Sequence, residues 1–262
     1  MAIITLLTDF GQRDPYVAQM KGVVMRICRD AIIVDITHEI IPQNIEQGAF
    51  ILYTTVPYFP PGTVHVAVVD PGVGTERKGL IIDCGDYVLV GPDNGLLLPA
   101  ARRGKKFDVY EITNRRYFME GVTHTFHGRD IFAPVAAHIA RGVEIREIGR
   151  KIDEYVDMSL GFGKVRDGKI EGKIVHIDRF GNLITNIEGR TLLDRAKYGK
   201  VIDVEIGGLQ LKMPFYKSYG YAGENELLLT IGGNGFVEIG VNMGSAFEKL
   251  KKGMGERVTL AL

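Results

Sequence analysis

MAIITLLTDFGQRDPYVAQMKGVVMRICRDAIIVDIT, residues 1–37, sets two apolar runs on either side of an amphipathic segment. IITLLT (3–8) and AIIVDIT (31–37) are short apolar runs bounded by polar residues and read as strands. Between them Val17, Met20, Val23, Val24 and Ile27 recur at helical spacing, and Asp14 with Pro15 supplies a start signal. Strand, helix and strand in so short a span is the opening of an α/β layer structure. Further along the chain TVHVAVV, GLIIDC and YVLVG repeat the strand texture, while 44–55 and 131–141 repeat the helical one. The alternation up to about residue 155 predicts an α/β domain with a mostly parallel sheet.

Beyond residue 160 the texture changes. VRDGKIEGKIVHIDRFGNLITNI, VIDVEIGGLQLKM, ELLLTIGGNGFVEIGV and RVTLAL are short, roughly alternating runs separated by DG, GG and NG. Those dipeptides favour the positive φ angles of tight hairpins, so a small barrel or sandwich is expected, with only 246–251 helical. The change falls near GFGKV (161–165), giving an N-terminal α/β domain at 1–160 and a C-terminal β domain at 165–262.

The 262 residues carry 32 basic and 32 acidic side chains, so the chain lacks the basic excess of a protein that binds nucleic acid mainly by charge. No run approaches 18 uninterrupted apolar residues, which argues against a membrane span, and the first residues lack the pattern of a secretory signal. Cys28 and Cys84 stand far apart without CxxC spacing and read as core thiols of a soluble, cytoplasmic protein in a reducing compartment.

Polar residues at the C-terminal ends of apolar strands are informative, because open α/β sheets bind ligands along that edge. Four clusters qualify. In TDFGQRD, Asp9 is either a carboxylate for two vicinal hydroxyls or an ordinary loop or capping aspartate. In VVDPGVGTERKG, Asp70 ends a strand and Arg77 follows seven residues later, as a chemical pair or as a brace for the loop. In THTFHGRDIFAP, His124, His127, Arg129 and Asp130 precede a helix that Asp130 is placed to cap. A metal is disfavoured there because Arg129 adds a positive charge and HExxH is absent, leaving His127 the better functional candidate. In HIDRFGNLITNI, Asp178, Phe180 and Asn182 surround a turn, which side-chain hydrogen bonding alone would also explain. Nucleophile elbow, Walker loop and dinucleotide fingerprint are all missing.

Taken together and in order, TDFGQRDPYVAQMKGV, NIEQGA, PPGTVHVAVVDPGVGTERK, VGPDNGLL, TFHGRDIFAP, IDRFGNLITNI and VEIGVNMGSAF resemble the S-adenosylmethionine hydroxide adenosyltransferase family, relatives of fluorinating and chlorinating enzymes. The resemblance spans nearly the whole chain. It implies a Rossmann-like N-terminal domain, a C-terminal β-barrel, and a homotrimer whose active sites lie between one subunit's N-terminal domain and its neighbour's C-terminal domain. It implies hydrolysis of S-adenosylmethionine to adenosine and methionine, with no metal and no other cofactor. By motif matching, Asp9 would grip both ribose hydroxyls, and Phe180, Asn182 and Tyr219 would surround the adenine. Asp178 would lie near the methionine amino group, and Asp70, Arg77 and His127 would handle water. GGNG places Gly233 and Asn234 where relatives carry the serine-containing or Ser-Arg segments that bear on the methionine carboxylate.

The departures bear on the reaction. The fluorinating relatives carry tyrosine at the position of Asp70, a halide-contacting serine at that of Gly128, and an extra loop after the Asp70 segment. A carboxylate at residue 70 repels a halide, which favours hydroxide as nucleophile. Displacement of a neutral thioether needs no proton on the leaving group. The chemistry therefore concentrates on water, with Asp70 and His127 expected to orient and deprotonate it and Arg77 to stabilise hydroxide. Two other readings stand beside this one. A sensor without turnover would use Asp9, Asn182 and Tyr219 alone, and a metal-dependent phosphoesterase would use Asp9, His124, His127 and Asp130.

Overall fold

The computed structural model describes residues 2–104 and 106–262, which form two compact units, Met1–Ser159 and Leu160–Leu262. The first contains β1 (Ile3–Thr8), α1 (Tyr16–Ile27), β2 (Ile32–Thr37), α2 (Ile45–Thr55), β3 (Thr63–Val68), β4 (Gly79–Asp83), β5 (Tyr87–Pro92), α3 (Leu98–Ala101), β6 (Asp108–Ile112), α4 (Ala133–Ala140), α5 (Ile145–Ile148) and β7 (Gly149–Lys151). Its sheet has the order β2-β1-β3-β5-β4-β6-β7. Strands β2, β1, β3 and β5 pair in parallel, while β4, β6 and β7 each join antiparallel. Five of the seven strands therefore point the same way, and the sheet is mostly parallel as expected.

Every residue of β3 is buried, because helices cover both faces of the sheet. Met20, Val23 and Val24 of α1 and Ala133, Val135, Ala136 and Ala137 of α4 pack with Ile4, Leu6, Val64, Val66 and Val68. On the opposite face α2 approaches so closely at Gly48 that a Cβ there would stand 2.9 Å from Leu96 and 3.1 Å from Val69. The helix signals worked unevenly. Asn44 caps α2, accepting from the Gln47 amide at 2.9 Å, whereas Asp14 makes no cap and α1 starts from Pro15. Asp130 does not cap a helix either, because a π turn (Gly128–Phe132) precedes α4 and contains it.

The chain passes from β1 to β2 on one side and then crosses back to β3 on the other side of β1. Connections leave the C-terminal ends of β1 and β3 in opposite directions, and such a switch point is where open α/β sheets bind ligands. Asp9 lies one residue beyond β1, and Asp70 two residues beyond β3.

The second unit comprises β8 (Lys164–Arg166), β9 (Lys169–Ile177), β10 (Leu183–Glu188), α6 (Gly189–Leu193), β11 (Val201–Ile206), β12 (Leu209–Pro214), β13 (Leu227–Ile231), β14 (Phe236–Val241), α7 (Ala246–Leu250) and β15 (Arg257–Ala261). Its antiparallel sheet runs β12-β11-β15-β9-β10-β14-β13, with β8 paired to β9. A bridge from Phe215, just past β12, to Leu229 of β13 nearly closes it into a barrel. Two of the glycine dipeptides act as expected: Asp167–Gly168 and Gly207–Gly208 turn with positive φ throughout and join β8 to β9 and β11 to β12, whereas in the GGNG turn between β13 and β14 only Gly235 has a positive φ. Helix α6 is an element that the sequence pattern did not predict.

Candidate active site

The first unit assembles a compact polar group at the switch point. Asp70 and Arg77, whose side chains are 5% and 8% exposed, form an ion pair from Arg77 Nη2 to Asp70 Oδ2 at 2.6 Å. The same Nη2 lies 3.0 Å from His127 Nδ1, and Nη1 donates to the Lys78 carbonyl at 2.9 Å. The guanidinium sits 5.3 Å above the centre of the buried Phe132 ring. Asp70 and Arg77 are held by one tight loop, and His127 comes from the segment before α4. Gly74 (φ +78°) lets these segments touch, since a Cβ there would strike the His124 carbonyl oxygen.

The electrostatics follow from burial. Desolvation raises the Asp70 carboxyl above its ordinary value even though Arg77 works against it. Desolvation and the Arg77 charge both push His127 down, more strongly than Asp70 pulls it up. An arginine only donates, so His127 Nδ1 must accept, and the neutral ring carries its proton on Nε2. Asp70 Oδ1 is buried without a protein hydrogen-bond partner among the described residues. The cluster thus holds a buried carboxylate oxygen with no well-aligned partner beside the Gly72 amide, one imidazole donor and a fixed positive charge.

Asparagine and aspartate of the VGPDNG segment brace this group. Asn94 Nδ2 donates to the Val69 carbonyl at 2.8 Å, immediately before Asp70. Asp93 accepts from the Val156 amide at 2.8 Å and adds a negative charge near Arg77. Asp130 accepts from Thr123 through its amide (2.9 Å) and hydroxyl (2.6 Å), and from Arg129 Nε at 2.7 Å. It therefore ties down the loop leading to His127. A cleft of about 670 Å3 opens there, lined by Gly74, Thr75, Arg115, His124 and His127 among others. A metal site built from Asp9, His124, His127 and Asp130 would have to release Asp130 from these bonds. Asp9 stands on its own loop, with Oδ2 accepting from the Gln43 amide at 2.8 Å.

The second unit carries a different surface. The Asp178 carboxylate accepts from the Phe180 and Asn182 amides, both at 2.9 Å, and from Asn182 Nδ2 at 2.8 Å. Asp178 thus builds the turn that exposes Phe180, which is 76% accessible. Phe180, Asn182 and Tyr219 line one hollow of about 400 Å3 together with Val241, Met243 and Gly244. Tyr219 donates to Glu238 Oε2 at 2.6 Å, and Gly240 makes room for its ring, since a Cβ there would stand 2.5 Å from Cε1. Burial, with Glu238 and Asp178 nearby, raises the Tyr219 hydroxyl, while burial also raises Glu238. Asn234 is not brought to this hollow. It sits exposed in the β13–β14 turn, at the opposite end of β14 from Val241.

Of the other residues around this hollow, neither Met243 nor Glu238 is singled out as a site residue by the sequence pattern. Met243, 84% exposed, has no pattern that marks it, whereas Glu238 was visible as a charge inside an apolar strand.

Residues 4–149 match the SAM hydroxide adenosyltransferase N-terminal domain, and residues 172–259 match the corresponding C-terminal domain. The chain belongs to the SAM hydroxide adenosyltransferase family. Among its relatives, the (R)-S-adenosyl-L-methionine hydrolase of Methanocaldococcus jannaschii is 40% identical, over 95% of this chain and 91% of that protein. The protein of the same name from Thermus thermophilus is 37% identical, over 98% of this chain and all of that protein. A fluorinase from an Actinoplanes species is more distant, at 29% identity over 92% and 91% of the two chains. The crystal structure of a conserved, uncharacterized Thermotoga maritima protein superposes with a TM-score of 0.95, covering 99% of this chain and all of that one at 37% identity.

Proposed function

We propose that this protein hydrolyses S-adenosyl-L-methionine to adenosine and L-methionine by in-line attack of water on the ribose 5′ carbon. The observation that carries the reading is the buried Asp70, Arg77 and His127 group, with Asp70 Oδ1 lacking a well-aligned partner and the His127 proton directed to Nε2. Water oxygen forms a bond to C5′ while the C5′–S bond breaks and its electron pair neutralises the sulfonium. The water proton passes to Asp70. His127 Nε2–H donates to the incoming oxygen rather than taking its proton, which narrows the roles expected from sequence. Arg77 fixes the carboxylate and stabilises hydroxide character. General-base help of this kind contributes roughly 10²- to 10⁴-fold in rate.

Water is favoured over halide because a carboxylate at Asp70 repels an anion at the attacking position. Asp9 binds the ribose diol, Phe180, Asn182 and Tyr219 bind the adenine, and Asp178 lies near the amino group, while Asn234, exposed at the far end of β14, is left out of the methionine carboxylate site. The names of the relatives support the (R) sulfonium epimer as substrate. We further propose a cytoplasmic homotrimer, in which Asp9 and the Asp70 group of one subunit share a substrate with Tyr219 and its neighbours from the next. No additional cofactor enters this chemistry.

The test is chromatography of the separate (R) and (S) epimers after incubation with wild-type and Asp70→Asn protein, with and without added halide. Adenosine and methionine from the (R) epimer, with wild type alone and regardless of halide, are expected. Tight binding of either epimer without product would favour the sensor reading. Light scattering of the purified protein checks the trimer.

A further inference from the structure

Behind the Asp9 loop lies a directed chain of polar groups that the catalytic scheme does not use. His38, just past β2, is fully enclosed, and its Nδ1 lies 2.8 Å from Thr8 Oγ1 at the end of β1. Its Nε2 lies 3.1 Å from Asp35 Oδ1, off the line of a well-aligned hydrogen bond, and Asp35 Oδ2 meets Lys21 Nζ at 2.5 Å. Burial pushes the Asp35 carboxyl up, but Lys21 and His38 outweigh it and hold the group below its ordinary value. An ionised Asp35 places the imidazole proton on Nε2, so Nδ1 accepts from the Thr8 hydroxyl. The Thr8 oxygen in turn accepts from the Phe10 amide at 3.2 Å. Each group has one direction available, and the chain ends at the peptide joining Asp9 to Phe10.

His38 acts on the same loop a second time, because its carbonyl accepts from the Gly11 amide at 2.7 Å. The backbone on the C-terminal side of Asp9 is therefore fixed at two successive amides, both traced to His38. Asp9 Oδ2 is fixed separately by the Gln43 amide, offered from a left-handed backbone (φ +67°) that a non-glycine residue rarely adopts. Strain of that kind persists where surroundings over-determine it, and it concentrates at sites whose geometry matters. Nothing in the strand pairing of β1 and β2 requires a hydroxyl at Thr8 or an imidazole at His38.

We infer that Thr8 and His38 are positioning residues that aim the Asp9 carboxylate at the two ribose hydroxyls. This rests on the reading of Asp9 as the diol-binding group. A carboxylate grips vicinal hydroxyls only when both bonds form at once, so a small swing of the Asp9 backbone costs one or both.

The experiment is calorimetric titration of wild type, Thr8→Val, Thr8→Ser and His38→Leu with adenosine and with 2′,3′-dideoxyadenosine. Hydrogen bonds to a charged group give wild type a preference for adenosine of roughly 10- to 100-fold. Thr8→Val, nearly isosteric, and His38→Leu should lose most of that preference while binding the dideoxy compound as wild type does. Thr8→Ser should retain it. Equal binding of both nucleosides by wild type would overturn the diol reading and this inference with it. A full preference in Thr8→Val beside a clear one in wild type would overturn the positioning role alone. If the buried variants do not fold, Asp35→Ala at the half-exposed end of the chain should lower the preference severalfold, and an unchanged ratio there counts against the role.

Discussion

Removing Arg77 isolates a carboxylate that is 5% exposed, and the consequence should depend on pH in a calculable way. In Arg77→Met the methylene stem and its packing on Phe132 are largely kept, but Asp70 loses the partner 2.6 Å away. Stranding one charge of a buried pair costs about 3–5 kcal/mol. Asp70 can escape by taking a proton, because burial already raises its carboxyl with Arg77 present. While Asp70 is protonated in the folded variant and ionised in the unfolded chain, the folded state binds one more proton. Stability then falls as pH rises, by about 1.4 kcal/mol per pH unit, until the folded-state group ionises. The loss relative to wild type should therefore be small near pH 5 and reach about 3–5 kcal/mol by pH 8. Urea unfolding of both proteins at several pH values measures it. A difference that does not change with pH, or one under about 1 kcal/mol at pH 8, would refute the argument that Arg77 neutralises a desolvated Asp70.

Other consequences are open to simpler measurements. Gly74→Ala forces a side chain into φ +78° and against the His124 carbonyl, so it should cost roughly 1–3 kcal/mol in thermal or urea unfolding and separate Arg77 from His127, lowering kcat more than it raises KM. His65 is enclosed, bonded to Thr5 at 2.7 Å through Nδ1, and burial pushes it down to about 4. Its contribution is intact above pH 6.5 and is lost as pH falls from 6.5 toward 4, because the unfolded chain binds the proton first; the loss is roughly 3 kcal/mol, and His65→Phe should abolish that acid sensitivity. The pH profile of kcat should fall on the acid side as the raised Asp70 carboxyl takes a proton. No alkaline limb from a general acid is expected, since the leaving thioether needs no proton. An alkaline limb that survives His127→Gln would contradict this.

The fold was legible where burial is one- or two-sided and regular. Strands β1 and β3 show continuous apolar runs because helices cover both faces, and α1 shows its stripe because one face meets them. The Asp167–Gly168 and Gly207–Gly208 hairpins were legible because tight turns demand positive φ. Helix α6, five residues long, is too short to display a period. Asp130 misled because an aspartate ahead of a helix can also serve a loop, and its bonds to Thr123 and Arg129 won, while Asp14 simply stands before α1 without a capping bond.

The site was legible as composition but not as direction. The strand-end rule that picks out Asp9 and Asp70 applies equally to His38 in DITHEI. That Arg77 meets His127 through Nδ1, and so leaves its proton on Nε2, depends on how two loops touch at Gly74. No sequence spacing encodes that. The turn built by Asp178 was one of two readings for its cluster, and its hydrogen bonds are now visible beside an exposed Phe180.

Hydrolysis in water enriched in oxygen-18, followed by mass spectrometry of both products, reveals which carbon water attacks. One heavy oxygen is expected in the 5′ hydroxyl of adenosine and none in methionine, with Asp70→Asn forming neither product at a comparable rate. Label in any other position, or full turnover by Asp70→Asn, would contradict attack by water on C5′ with Asp70 as its base.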